Sequence, residues 1–136
     1  KKSLVFKYRF SSFQINKFVI LSASFIFRPS KNIEKITNKT KQNLKKKTKT
    51  QPYHLPSFGS VFKNPKNNFA GKLIEEAGLK GFKIGGAQVS TLHSNFIVNN
   101  SNATSEDIYK LITLIQQKVL QKKGIFLHPE VRMIGY

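Results

Sequence analysis

The most regular apolar pattern in the chain runs from Ile108 to Val119. Ile108, Leu111, Ile112, Ile115 and Val119 recur at i, i+3, i+4, i+7 and i+11, the spacing of one face of a helix. Thr104-x-x-Asp107 just before them is a capping signature, and Gly124 lies where the helix should end. Phe69, Leu73 and Ala77 mark a shorter helix, with Gly78 placed as the residue that closes it. Between the two, Phe82–Ser90 is apolar but broken by Gly85-Gly86. Paired glycines there predict a bulge or a close backbone approach. Asn95–Asn99 predicts a short strand ending in a turn-like Asn-Ser-Asn. Ile125–Leu127 and Val131–Ile134 predict two more, flanking His128-Pro129-Glu130.

The first fifty residues follow a different pattern. Lys2–Phe13 alternates imperfectly and predicts a strand leading into a turn, on which Tyr8 and Arg9 would point to opposite faces. Phe18–Phe27 follows a basic start and superficially resembles the apolar part of a signal peptide. Its ten residues are too few to span a bilayer, and its Phe, Ile and Val content favours a buried strand, stopped by Arg28-Pro29. Ser30 can cap a helix on which Ile33, Ile36, Thr40 and Leu44 form one thin stripe among Lys and Asn. Such a helix lies on a surface and covers something else. Thr48–Pro56, with two prolines, reads as a loop. Two strands and a polar helix cannot bury a core, so residues 1–50 read as the tail of another sheet domain. The chain divides into 1–50, 51–127 and 128–136, and its class is α+β.

With 136 residues, 39% of them hydrophobic and 12 of them Phe, the chain has enough apolar mass for one modest folded domain. It lacks cysteine, and His54, His93 and His128 stand isolated, so thiolate chemistry is excluded and no metal site is predicted. The net charge of +18 raises binding to polyanions. Residues 1–50 hold 14 Lys/Arg against Glu34 alone, a net of +13, while residues 51–136 are only +5. Three Arg in the whole chain leave few bidentate base readers. The excess therefore reads as compositional drift on solvent-facing positions, with no specific nucleic-acid partner and no membrane. The first residue is Lys1, which suggests a fragment or a processed chain.

Candidate chemistry concentrates in Pro56–Asn64, P-S-F-G-S-V-F-K-N. Gly59 lets the backbone turn sharply or approach a ligand, presenting Ser60 on an exposed turn. Local residues alone favour a plain surface loop.

The order of six segments changes that balance: P-S-F-G-S-V-F-K-N-P (56–65), A-G-K-L-I-E-E-A-G-L-K-G (70–81), I-G-G-A-Q-V-S (84–90), H-S-N-F-I-V-N (93–99), A-T-S-E-D-I (103–108) and P-E-V-R-M-I-G (129–135). Together they resemble the C-terminal half of the MurB family, the UDP-N-acetylenolpyruvoylglucosamine reductases of peptidoglycan synthesis, in its shorter type. Y-R-F-S-S-F (8–13) and L-S-A-S-F (21–25) resemble segments that precede its substrate domain. The resemblance implies a cytoplasmic flavoenzyme in which NADPH reduces FAD. The flavin then passes hydride to the enolpyruvyl ether of UDP-N-acetylglucosamine enolpyruvate, giving UDP-N-acetylmuramate. On it, residues 1–50 are the remnant of the FAD-binding domain, 51–127 the substrate domain, and 128–136 a terminal strand carrying the catalytic glutamate.

The same resemblance assigns Arg9 and Glu130 to stabilising the enolate-like intermediate and Ser60 to donating the proton. Asn64, Lys72, Gln88 and His93 fall at substrate-binding positions, Lys72 as a diphosphate contact. Tyr8 stacks on the substrate or belongs to the core; Gln88 and His93 equally suit the role of satisfying buried backbone groups; Glu130 fits an exposed turn on local grounds. Phe58, Leu92 and Lys7 depart from the family pattern, Phe58 placing bulk beside the acid. No segment resembles the family's glycine-rich flavin-diphosphate loop, so the missing N-terminal FAD-binding region is an expected partner. The alternative is a nucleotide-sugar-binding module without catalysis.

Overall fold

A computed structural model describes residues 4–15 and 19–135, which separate into two compact units, Lys1–Thr37 and Asn38–Tyr136. In the first unit, strands β1 (Phe6–Lys7) and β2 (Phe10–Ser11) pair as an antiparallel hairpin, with Phe6 opposite Ser11 and Lys7 opposite Phe10. Tyr8 and Arg9 form its two-residue turn, and Arg9 takes a left-handed φ of 53°. The predicted single strand is thus folded back on itself, and Tyr8 and Arg9 are turn residues rather than opposite faces. Lys2 and Ser3 lie outside the described residues, as does Phe18 of the next predicted strand.

Residues 19–27 form no strand, and their large apolar side chains are exposed, Leu21 by 92% and Ile26 by 101%. The buried strand predicted there is not observed. Among the described residues no strand pairs with this run, and an apolar segment without a partner has nothing to bury against.

Helix α1 (Ile33–Thr50) is longer than its sequence stripe suggested, reaching into the predicted 48–56 loop. Asn32 caps it rather than Ser30: Asn32 Oδ1 accepts from the Lys35 N–H at 2.7 Å, while Ser30 Oγ accepts from the Asn32 N–H. None of its residues is buried.

The second unit holds a four-stranded antiparallel sheet in the order β3-β6-β5-β4: β3 is Ser57–Ser60, β4 Lys83–Ile84, β5 Ala87–Val89 and β6 Phe96–Asn99. Helix α2 (Ala70–Glu76) follows β3, and α3 (Ser105–Lys123) follows β6. The core is formed by Leu73, Ile74 and Ala77 of α2, Ala87 and Val89 of β5, Ile97 of β6, and Leu111, Ile112, Ile115 and Val119 of α3, with Val61, Phe62 and Leu127 from connecting segments. All the α3 positions except Ile108 that the sequence pattern predicted are fully buried; Ile108 packs against the cluster's edge.

Both ends of α3 are tied to its neighbours. Thr104 Oγ1 accepts from the Asp107 N–H, and Asp107 Oδ2 accepts from the N–H of Thr104 and of Gly86. The N–H groups of Thr104 and Gly86, together with the Thr104 side chain, hold the Asp107 carboxyl below its ordinary value of 3.8. At the other end Gly124 turns at φ 66°, and Lys122 Nζ donates to the Ala77 carbonyl at the end of α2. Gly85-Gly86 forms the two-residue turn of the β4–β5 hairpin, and Gly86 is also a close approach, packed on the backbone of Ser101 and Ala103.

Residues 125–127 and 131–134 are not strands. That segment contributes an isolated bridge, Pro129 opposite Phe62, because Pro129 has no N–H with which to continue a ladder.

Candidate active site

Ser60 sits at the end of β3, where the strand is irregular. Ser57 pairs with Val98 and Ser60 with Phe96, three steps along β3 against two along β6. The extra residue is a β-bulge, and Gly59 supplies its left-handed φ of 84°. The bulge decides what Ser60 faces. Positions 58 and 60 of a regular strand share a face; here Phe58 lines a groove with Ile108, Tyr109 and Ile112 of α3, while Ser60 lines a different cleft. Ser60 is therefore half-buried on a bulged strand, not exposed on a turn, and Phe58 does not crowd it.

The Ser60 cleft has a volume of about 560 Å³ and also receives Asn64, Lys72, His93, Asn95 and Glu75. Asn64 Oδ1 accepts from the Ala70 N–H at 3.0 Å, fixing this side chain to the start of α2. Lys72 is largely exposed and lies 3.8 Å from Glu76, whose other oxygen is held by Lys123 at 2.6 Å. Lys123 is the main cause of the lowered Glu76 carboxyl value. Lys72, at the long end of this chain of charges, reaches the cleft without leaving Glu76 unpaired.

His93 is half-buried against the Phe96 ring, with centroids 4.9 Å apart. Its Nδ1 accepts from the Asn95 N–H at 3.2 Å, so the neutral ring carries its proton on Nε2. Burial disfavours the imidazolium and Lys80 adds to the effect, lowering the pKa from 6.5. Above pH 6.5 the ring is neutral in the folded and unfolded chain alike; below it, the unfolded chain binds the proton first. Stability should therefore fall as pH drops from 6.5 through the folded value. Denaturant unfolding at pH 7.5 and pH 5 should show a smaller loss for His93→Gln than for the unaltered chain. Equal losses would mean that His93 does not carry the effect.

The other predicted site residues lie elsewhere. Gln88 Nε2 donates to the Gly81 carbonyl at 3.0 Å, satisfying backbone, and Gln88 does not line the cleft. Glu130 is half-buried beside β3, its N–H donating to the Val61 carbonyl at 2.8 Å. Tyr8 and Arg9 belong to the first unit, where the Arg9 guanidinium stands 5.8 Å from the Tyr8 ring centroid. Among the described residues no three His, Cys, Asp or Glu converge as metal ligands, and no helix is long and apolar enough to cross a membrane.

Residues 51–134 match the family described as "UDP-N-acetylenolpyruvoylglucosamine reductase, C-terminal domain". The chain belongs to the MurB family. The structure and the family agree in class, helices on an antiparallel sheet. A UDP-N-acetylenolpyruvoylglucosamine reductase of Prochlorococcus marinus subsp. pastoris is 71% identical over the whole chain, which spans 46% of that protein. One from a Synechococcus strain is 49% identical, also over the whole chain and 44% of the relative. The crystal structure of MurB from Thermus caldophilus superposes with a TM-score of 0.58 at 36% identity, over 74% of this chain and 35% of the other. The chain thus spans less than half the length of these MurB relatives.

Asn95 was missed as a site residue, although it stands in the H-S-N-F segment. Its place as the last polar residue before the apolar run Phe96–Val98 was its signal. Only the fold shows that it is 4% exposed and that both ends of its amide bond to Phe62.

Proposed function

We propose that this chain supplies the substrate half of a reductase that converts UDP-N-acetylglucosamine enolpyruvate to UDP-N-acetylmuramate, with NADPH as reductant and FAD as carrier. One observation carries the reading: Ser60, Asn64, Lys72 and His93, four positions assigned by resemblance in three segments, line a single cleft. In a chain that belongs to the MurB family, that convergence favours substrate binding over a plain loop.

The paired-glycine turn among the described residues does not fit the FAD diphosphate. Gly85-Gly86 cannot cradle a diphosphate, because Asp107 and the backbone of residues 101–103 already fill the space in front of the two glycines. Most of the flavin site is assigned to the remainder of the reductase, and the main work of this chain is on the substrate. Lys72 supplies positive charge for the diphosphate. Asn64, held by its bond to α2, presents a fixed amide rather than a free rotor. The Ser60 hydroxyl donates the proton to the carbon beside the reduced one, which requires close placement because serine is a weak acid. Arg9 and Glu130 keep the role the resemblance assigns them at the enolate-like intermediate, where Arg9 supplies the positive charge.

The reading is tested by replacing the 136 matched residues of the Prochlorococcus relative with this chain. The chimera is expected to turn over NADPH continuously only when the enolpyruvyl substrate is present. A chimera that folds, binds FAD and shows no such turnover would favour a binding module without catalysis.

A further inference from the structure

Val61 and Phe62 connect Ser60 to the rest of the site, and Asn95 holds them from one side. The Val61 N–H donates to the Asn95 carbonyl at 2.9 Å. The Asn95 side chain then pairs with Phe62 at both ends: Oδ1 accepts from the Phe62 N–H at 3.0 Å, and Nδ2 donates to the Phe62 carbonyl at 2.9 Å. This is the bonding a neighbouring strand would offer, delivered by one buried amide. On the opposite side the Val61 carbonyl accepts from the Glu130 N–H at 2.8 Å, and the Lys63 N–H donates to the His128 carbonyl at 2.9 Å. The N–H of Asn95 itself orients His93.

We infer that Asn95 is a positioning residue that fixes Ser60 and Glu130 relative to one another through the backbone of Val61 and Phe62, and His93 through its own N–H. The inference rests on the roles proposed above for Ser60 and Glu130. A non-polar side chain would leave the Phe62 N–H and carbonyl unpaired in a buried setting, so the segment would shift to find partners. A shift at Phe62 moves Ser60, two residues earlier, and Glu130, bonded to Val61. Misplacement on the scale of 1 Å costs a reaction about 10²-fold.

Two variants, Asn95→Ala and Asn95→Asp, test this in the chain itself and in the chimeric reductase. In the chain, Asn95→Ala is expected to speed amide exchange at Glu130 about tenfold or more. The Leu111 and Ile115 amides of α3 should keep their protection. In Asn95→Asp the ionised carboxylate faces the Phe62 carbonyl; once protonated, the acid has the donor and acceptor layout of the amide. Glu130 protection should therefore be lost at neutral pH and return as pH falls through the raised pKa of the buried acid. In the chimera, kcat per folded, FAD-loaded enzyme should fall about 10²-fold at neutral pH with KM held within about threefold, and recover at lower pH. A purely structural Asn95 would lower the folded fraction and leave kcat per folded enzyme unchanged, which overturns the inference. So does a Glu130 amide that exchanges no faster relative to α3. Should Asn95→Ala fail to fold, the two protonation states of Asn95→Asp give the same comparison. A chimera without turnover even with Asn95 intact would remove the reductase reading, and the exchange result would still decide the coupling.

Discussion

Replacing Ser60 with alanine in the chimeric reductase is expected to slow product formation by about 10²–10⁴-fold, the range for removing a positioned general acid. Reduction of the enzyme by NADPH alone should continue at its usual rate, since that half-reaction needs no proton from Ser60. Rapid-mixing absorbance measurements of the two half-reactions separate these outcomes. The fold should tolerate the change. Ser60 is half-buried at a strand end, and the bonds that hold the neighbouring backbone come from Val61, Phe62 and Asn95. Stability should stay within about 0.5 kcal/mol. Product formation at the unaltered rate would remove Ser60 from the mechanism.

Gly86→Ala is expected to be the most damaging single methyl group in the second unit. A Cβ at Gly86 would overlap the Ser101 carbonyl oxygen and the backbone of Ala103. Those atoms cannot swing aside. Asn99 Oδ1 accepts from the Ala103 N–H, the Gly86 carbonyl accepts from the Asn100 N–H at 2.9 Å, and the Gly86 N–H donates to Asp107. Relieving the clash breaks at least one of these bonds and loosens the cap of α3. The cost is expected to be about 3 kcal/mol or more, a drop in Tm of more than about 10 °C for a unit this size. Gly124→Ala is the control. Nothing lies within 4 Å of its Cβ position, and its φ of 66° carries only the left-handed penalty, about 1 kcal/mol. Equal thermal shifts for the two variants would show that the turn over Gly86 is not rigid.

Legibility from the residues varied with the range of the forces involved. Helix α3 was readable from end to end because its stripe, its Thr104 cap and its closing Gly124 all lie within a few positions of the bonds they make. The shorter α2 and its closing Gly78 were readable for the same reason, except that Phe69, the first position of the predicted stripe, lies before the helix and is exposed. The strand predicted at 18–27 failed because strand formation needs a partner, and no local pattern names one. Val131–Ile134 failed similarly: its alternation is apolar, but the bridge beside it begins and ends at Pro129.

The sequence by itself determined the α+β class, the two helices of the second unit, the paired-glycine close approach and, through the order of its segments, the family. These depend on short-range periodicity and on residue identity, which the chain carries in one dimension. Only the tertiary structure decided which assigned residues share a cleft. It put Ser60, Asn64, Lys72 and His93 together and turned Gln88 to the Gly81 carbonyl. It sent Phe58 to the far side of a bulge and gave Asn95 a strand's bonding role. The direction a side chain faces is set by register and by one extra residue in β3, and a register exists only once two distant segments have paired.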